Sequence, residues 1–323
     1  MLVSILIPFT KIDKYLIEAI ESIESELINQ KEIILIYDDE KIENLDLLNG
    51  KIKKLDKVKV VYSAQKGISN CLNLGIQLST GQFIARLDSD DLVLPGRFEK
   101  QVAYLTENSD CAVVGGQVEF INSEGQFLRT SKLPLDVNIN LLKGCFIFHP
   151  TVLMRRAVLV SEGGYRNLFC AAGKYIVEDY ELWLRLSKNY RLHNLNSLVL
   201  KYREHSNQSS RINQDRVSLA TWLLRYMHIF NTSEVSVKTL FESEDVALIG
   251  ENVLEKFRNG YLDIDVKKTL LFDIVIYFAF NKNLMFKKKI SLLYRFFLID
   301  PYNLFKHFLR EIYTIQLWTK VHH

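Results

Sequence analysis

Asp88-Ser89-Asp90-Asp91 places three carboxylates within four residues, and charges that close repel one another unless a cation or a network of donors compensates. Carboxylate oxygens suit Mg²⁺ or Mn²⁺, ions that usually complete their shells with phosphate oxygens of a substrate. The competing reading is an acidic turn that caps a following helix, where Asp is favoured. About ninety residues further on, Glu178-Asp179 precede a stretch in which Leu182 and Leu186 share one helical face with Trp183 beside them, so the acidic pair falls at a helix N-terminus. Acidic residues there complement the macrodipole. A carboxylate held in that position is also suited to take a proton from an alcohol. Tyr202-Arg203-Glu204-His205 forms a third group, whose lone histidine is either structural or a ligand. His149-Pro150-Thr151 is open in the same way, and Gly163-Gly164-Tyr165 reads as a turn with unusual backbone angles.

These groups need elements to hold them. Val3 to Pro8, Glu32 to Tyr37, Val58 to Tyr62 and Phe83 to Leu87 read as strands, and Ser197 to Tyr202 as the last one. Tyr15 to Ser25, with apolar Leu16, Ala19, Ile20 and Ile23, and Ile68 to Leu78 read as helices. Strands apolar on both faces and separated by amphipathic helices predict an α/β fold with a mainly parallel sheet covered on both sides. Ligands of such sheets sit at the carboxyl ends of the strands, which is where the aspartates fall. After about residue 210 Gly and Pro become scarce and helical patterns follow one another, at 214–230, 244–258, 265–281, 284–299 and 302–318. The expected organisation is a domain over 1–210 and a helical region over 211–323, joined by a linker near 208–213.

The chain has 323 residues, of which 48% are hydrophobic, 24% charged and 5 in number proline, a balance that excludes disordered, collagenous and repeat-built classes. The longest uncharged stretch, Gly67 to Ala85, is 19 residues, but it is broken by Ser, Asn, Gln, Thr and Gly and is not the run of roughly 18 predominantly apolar residues that a spanning helix needs. MLVSILIPF has no basic residue ahead of its apolar run and reads as a buried strand, so a cytoplasmic location is expected. Cys71, Cys111, Cys145 and Cys170 form no C-x-x-C pair and are expected to be free, buried thiols. From Lys282 to His323 eight basic residues face two acidic ones, a net +6 within a total of +3, so residues 1–281 are net −3. In that tail Phe286, Tyr294, Phe296, Phe297, Phe305, Phe308 and Trp318 interleave with Lys and Arg. Such a mix fits either helices lying on an anionic membrane surface or a small bundle whose aromatics are core. No recognition motif accompanies the basic residues, which argues against nucleic acid.

Ten collinear motifs between Leu2 and Ser210 together resemble the family 2 glycosyltransferases of GT-A fold, in particular bacterial enzymes that assemble capsular, exopolysaccharide or O-antigen repeat units. They are SILIPF (4–9), EIILIYDDE (32–40), KGISNCLNLGI (66–76), GQFIARLDSDD (81–91), RFEKQVAYL (97–105), VVGG (113–116), FHPTVLMRR (148–156), GGYR (163–166), EDYELWLRL (178–186) and YREHSNQSS (202–210). Nothing beyond residue 210 contributes. The resemblance implies a Rossmann-like sheet and an inverting hexosyl transfer from a nucleoside-diphosphate sugar, taken as a UDP-sugar, to a hydroxyl of a glycan or lipid-linked oligosaccharide. It implies a Mn²⁺ or Mg²⁺ cofactor and a cytoplasmic enzyme, peripheral on the inner face of the membrane if the tail binds lipid. Residue by residue, it carries nucleotide contacts to Pro8, Phe9, Asp38, Lys66, Asn73, Arg86 and Asp88, and metal contacts to Asp90, Asp88 and His205. It carries the catalytic base to Asp179 with Glu178 as neighbour, and sugar or acceptor contacts to His149, Asp91 and Trp183. The chain departs from the family pattern at Lys11, where Asn is usual, at Asp39, where Gly is usual, and at Leu72, where many relatives carry Arg. A nucleotidyltransferase would want a Gly-rich phosphate loop after the first strand, and Phe9 to Asp13 contains no glycine. The remaining alternative is a non-catalytic, sugar-nucleotide-binding scaffold subunit of a polysaccharide assembly complex.

Overall fold

The computed structural model describes residues 1–24, 26, 30–38, 43–53, 55, 57–171, 174–205, 214–231, 233, 234 and 238. The chain divides into two units, Met1–Ile212 and Asn213–His323. The first begins β1 (Val3–Phe9), α1 (Lys14–Glu24), β2 (Lys31–Tyr37), α2 (Leu45–Ile52), β3 (Val58–Tyr62), α3 (Ile68–Leu78) and β4 (Phe83–Arg86). It continues β5 (Leu92–Val93), α4 (Arg97–Glu107), β6 (Cys111–Ile121), β7 (Phe127–Thr130), β8 (Leu153–Arg155) and α5 (Arg156–Ser161). It ends β9 (Phe169–Ala171), β10 (Lys174–Ile176), α6 (Glu178–Leu186) and β11 (Arg191–Arg203). In the second unit α7 spans Gln214–Phe230. The helices expected at 244–258, 265–281, 284–299 and 302–318, the basic aromatic tail, the linker at 208–213 and Asp39 lie outside the described residues. Among the described residues, no helix is long and apolar enough to cross a membrane.

The main sheet runs β3-β2-β1-β4-β8-β6-β11-β5, with β7 paired to β6. Its first four strands are parallel, as their two-sided apolar runs predict. Beyond β4 the sheet is mixed, because β8 enters antiparallel between β4 and β6 while β11 runs parallel to β6. Alternation along β1 sends Val3, Ile5, Ile7 and Phe9 into one core with Leu16, Ala19, Ile20 and Ile23 of α1 and with Phe98 and Leu105 of α4. The other face of the sheet carries α3, held close because Gly75 has no side chain. A Cβ there would lie 2.9 Å from Leu6 and from Ile36. With β2 on one side of β1 and β4 on the other, strand order reverses at β1, and ligands of doubly wound sheets bind beyond the strand ends at such a point. The chain leaves β1 through Phe9-Thr10 and leaves β4 through Leu87-Asp88.

Candidate active site

The aspartate turn joins β4 to β5. Single carboxylate oxygens of Asp88, Asp90 and Asp91 lie within 4.8 Å of one another. No helix begins at Asp91, since β5 follows it, so the turn is not a helix cap. The N-terminus of α4 is held instead by Glu26, which accepts from the N–H groups of Gly96 (2.7 Å) and Phe98 (3.1 Å). Asp91 is buried. Its Oδ1 accepts the backbone N–H of Arg203 at 2.8 Å, while Oδ2 has no hydrogen-bond partner among the described residues. Burial, with Asp88 and Asp90 adding repulsion, raises the Asp91 carboxyl well above the usual range, and burial followed by Asp88 raises that of Asp90. Arg86 is buried beneath the turn with Nη1 2.5 Å from Asp88 Oδ2.

The end of β11 fixes this turn from the other side. The Arg203 side chain donates to the carbonyl of Asp90 (2.8 Å), to that of Ser123 (3.1 Å) and to Glu18 Oε2 (2.7 Å). His205 Nε2 lies 2.9 Å from Asp90 Oδ2, and its ring stacks on Tyr15 at 6.1 Å. Tyr15 in turn lies under the Arg203 guanidinium at 4.6 Å. Arg203 and Tyr15 were not singled out by sequence reasoning. Arg203 lies inside the quoted YREH motif, and the signal available was a basic residue beside the histidine that closes the last strand.

The acidic pair opens α6. Val177, the residue before it, has φ 55°, a left-handed conformation that is costly for a β-branched side chain. Asp179 Oδ1 accepts the N–H of Tyr180 at 2.7 Å. One turn on, Glu181 is paired with Arg185 at 2.8 Å. Burial, with Asp179 beside it, pushes the Glu178 carboxyl up to about 8, and burial also raises that of Asp179. Arg86 and Asp88 act electrostatically on both Glu178 and Asp179, so the turn after β4 and the start of α6 face a common space. Tyr165 and His149 close the interior side of it. Their side chains meet at 2.8 Å, and burial, with the Arg86 charge adding, lowers His149 well below its usual value and so keeps it neutral. Trp183 is fully buried with its ring 5.9 Å from His149, edge to face. It supports the histidine from behind and offers no open face to a sugar.

The residues carried over as nucleotide contacts gather at the ends of β1, β2 and α3. Pro8 is half-buried and Lys66 exposed, while Phe9 belongs to the core. Asp38 Oδ2 accepts the N–H of Gly67, at the start of α3, at 2.7 Å. Asn73, within α3, has both ends of its amide taken by the backbone of Tyr165 (2.8 and 2.9 Å). It thereby holds the turn at Gly163 and Gly164, whose φ values of 79° and 67° bear out the unusual angles expected there. Two aromatics in a row with Phe9 were also missed. Phe9, Tyr37 and Tyr62 are register partners at the ends of β1, β2 and β3, with ring centroids 5.8 and 5.3 Å apart. Their signal was one aromatic in the last position of each strand.

The donor set fits a divalent cation. It consists of hard oxygens at the end of β4, an imidazole beside them, and a buried carboxylate oxygen on Asp91 without a partner. Cys71 and Cys111 are free and buried, but Cys145 is exposed, contrary to the expectation for all four, because it lies on a surface segment outside any strand or helix. The side chain of Cys170 is outside the described residues.

Residues 4–162 match the family model described as Glycosyl transferase family 2. The O-antigen biosynthesis glycosyltransferase WbnJ of Escherichia coli is 31% identical over 231 residues, 69% of this chain and 88% of that protein. The amylovoran biosynthesis glycosyltransferase AmsE of Erwinia amylovora is 30% identical over 195 residues, 58% of this chain and 70% of that protein. Among solved structures, S. aureus TarS 1-349 in complex with UDP-GlcNAc superposes with a TM-score of 0.59 at 16% identity, covering 94% of this chain and 89% of that one. At that identity the likeness shows a common fold.

Proposed function

This chain belongs to glycosyl transferase family 2, and from that premise we propose that it transfers a sugar, with inversion, from a UDP-sugar to a hydroxyl of a glycan or lipid-linked acceptor in bacterial surface-polysaccharide synthesis. The names of the two relatives support the pathway, and the UDP-GlcNAc complex of TarS supports the donor class. One observation carries the chemistry: Arg86 and Asp88 at the end of β4 act on Glu178 and Asp179 at the start of α6. Groups suited to a diphosphate and groups suited to an alcohol therefore serve one pocket.

Asp179 takes the proton of the acceptor hydroxyl as that oxygen attacks the anomeric carbon. A single base suffices, because displacement with inversion forms no covalent sugar intermediate, as in inverting hydrolases. Glu178, held protonated near neutrality by burial and by its neighbour, keeps the pair at one negative charge and leaves Asp179 as the acceptor of the proton. Asp38, Pro8 and Lys66 would read the base and ribose, and Asp88, held by Arg86, would face the diphosphate. Asp88, Asp90 and His205 would hold a Mn²⁺ or Mg²⁺ ion, which supplies positive charge where the leaving diphosphate becomes negative.

Asp179→Asn is expected to lower transfer about 10³-fold, within the range of lost general-base catalysis, while UDP-sugar affinity by calorimetry stays within about twofold. Near-normal turnover would remove Asp179 from the role. A scaffold subunit would release no UDP when the purified chain is incubated with UDP-hexoses and Mn²⁺, and that result would overturn the enzyme reading.

A further inference from the structure

A groove of about 720 Å³ lies away from the aspartate turn, between the exit of β7, the segment leading to His149 and the middle of β11. Its size is that of a small-molecule site, and nothing above gives it a role. Two features show that the fold builds it. Gln117 on β6 is buried, and its amide holds one wall in place, accepting from Ser131 Oγ (2.8 Å) and from the Leu133 N–H (2.8 Å) and donating to the Leu133 carbonyl (3.1 Å). Opposite, the register of β11 against β6 shifts on both sides of Leu198, so that Leu195 pairs with Gly116 and Leu198 already with Gln117. Asn196 and Ser197 are extruded from the ladder, and bulges of this kind re-aim side chains beside binding sites.

The lining has the chemistry of a carbohydrate surface. Phe146, Leu133 and Leu198 provide apolar faces for the C–H side of a pyranose. Thr130, Lys132 and Asn196 stand at the rim, and no side-chain hydrogen bond or ion pair among the described residues occupies them, so they are available to ring hydroxyls. One lysine without a second cation is a poor anion site. The segment that lines the groove runs on toward the aspartates and the acidic pair. Phe146 lies two residues before Phe148, whose ring is 5.6 Å from Tyr202 and 5.7 Å from Phe120, and His149 follows directly. Tyr202 feels the charges of Asp88, Asp91 and Asp90.

We infer that this groove binds non-reacting sugar residues of the acceptor glycan while its reacting hydroxyl lies at Asp179. This rests on the glycosyl-transfer reading, and it uses remote contacts to orient the acceptor. The test uses the full-length chain on an array of bacterial O-antigen and capsular oligosaccharides, with UDP release from UDP-hexoses measured in parallel. Wild type is expected to retain a subset of glycans. Asn196→Ala combined with Lys132→Ala, and separately Leu198→Arg, should weaken that retention at least tenfold while leaving UDP release within about twofold. Asp179→Asn should leave retention intact. UDP release without glycan retention, or retention equal in wild type and both groove variants, would overturn the groove assignment alone. Absence of UDP release from wild type would instead overturn the transfer reading on which it stands.

Discussion

Glu178 and Asp179 begin a helix whose other first-turn acid, Glu181, is already neutralised by Arg185. Among the described residues the pair itself has no such partner, and burial decides its state. A folded-state value of about 8 against an ordinary 4.5 means that the folded chain holds a proton at Glu178 which the unfolded chain releases. Stability is therefore highest below about 4.5 in this respect and falls as pH rises through about 8. Glu178→Gln cannot lose that proton. The melting temperature of the variant relative to wild type should rise progressively between pH 4.5 and 8, and two parallel curves would show that Glu178 titrates normally. Glu178, Asp179 and the three aspartates were legible in the sequence, because their meaning lies in acidic residues crowded within a few positions. Arg203 and Tyr165 were not, because their partners lie far away in the chain: Arg203 reaches Asp90 and Glu18, and Tyr165 reaches Asn73 and His149. Trp183 shows the same limit. Its helical spacing marks the apolar face of α6 but says nothing of the layer in which the indole ends, which is wholly interior.

At the scale of elements, the helix that carries the acidic pair is entered through a strained residue. Holding Val177 at positive φ costs on the order of 1–3 kcal/mol, and such strain persists only where surrounding contacts enforce it. Here Glu181 and Arg185 fix α6 to the turn at Gly164, since Arg185 donates to the carbonyls of Glu162 and Gly164 at 2.6 and 2.7 Å. Asn73 secures the same turn from α3. Val177→Gly should therefore relieve strain, leaving stability in denaturant unchanged or raised by up to about 1 kcal/mol, while transfer falls several-fold as the pair loses its fixed approach. A variant both less stable and fully active would show that Val177 carries no such constraint. Local periodicity made β1 to β4, α1 and α3 readable to within a residue or two. The insertion of β8 between β4 and β6 was not readable. Three residues, Leu153–Arg155, are too few for a pattern, and their place is set by long-range pairing.

For the whole molecule, everything assigned to donor and base lies before residue 206, inside the unit Met1–Ile212. That unit has its own core, running from Val3 through Leu105 and Val118 to Leu200, and its interior polar groups are largely met from within it. Ser4 and Thr80 donate to Glu32 at 2.6 to 2.8 Å, and although burial alone would raise this carboxyl, those bonds and Lys59 hold it at about 2. A unit with its own core and its own pocket is expected to fold alone. We therefore propose that residues 1–212 form the catalytic domain and that the basic, aromatic segment 282–323 serves attachment to anionic lipid. A fragment of residues 1–212 should unfold cooperatively and release UDP from UDP-hexoses with Mn²⁺ at a rate within about tenfold of the full chain. In flotation with phosphatidylserine-containing liposomes the full chain should float and the fragment should not, with the difference suppressed by salt because the attraction is electrostatic. Loss of folding in the fragment would refute the domain boundary. Equal flotation of the two would refute the membrane role while leaving the boundary standing, because the two measurements read different parts of the chain.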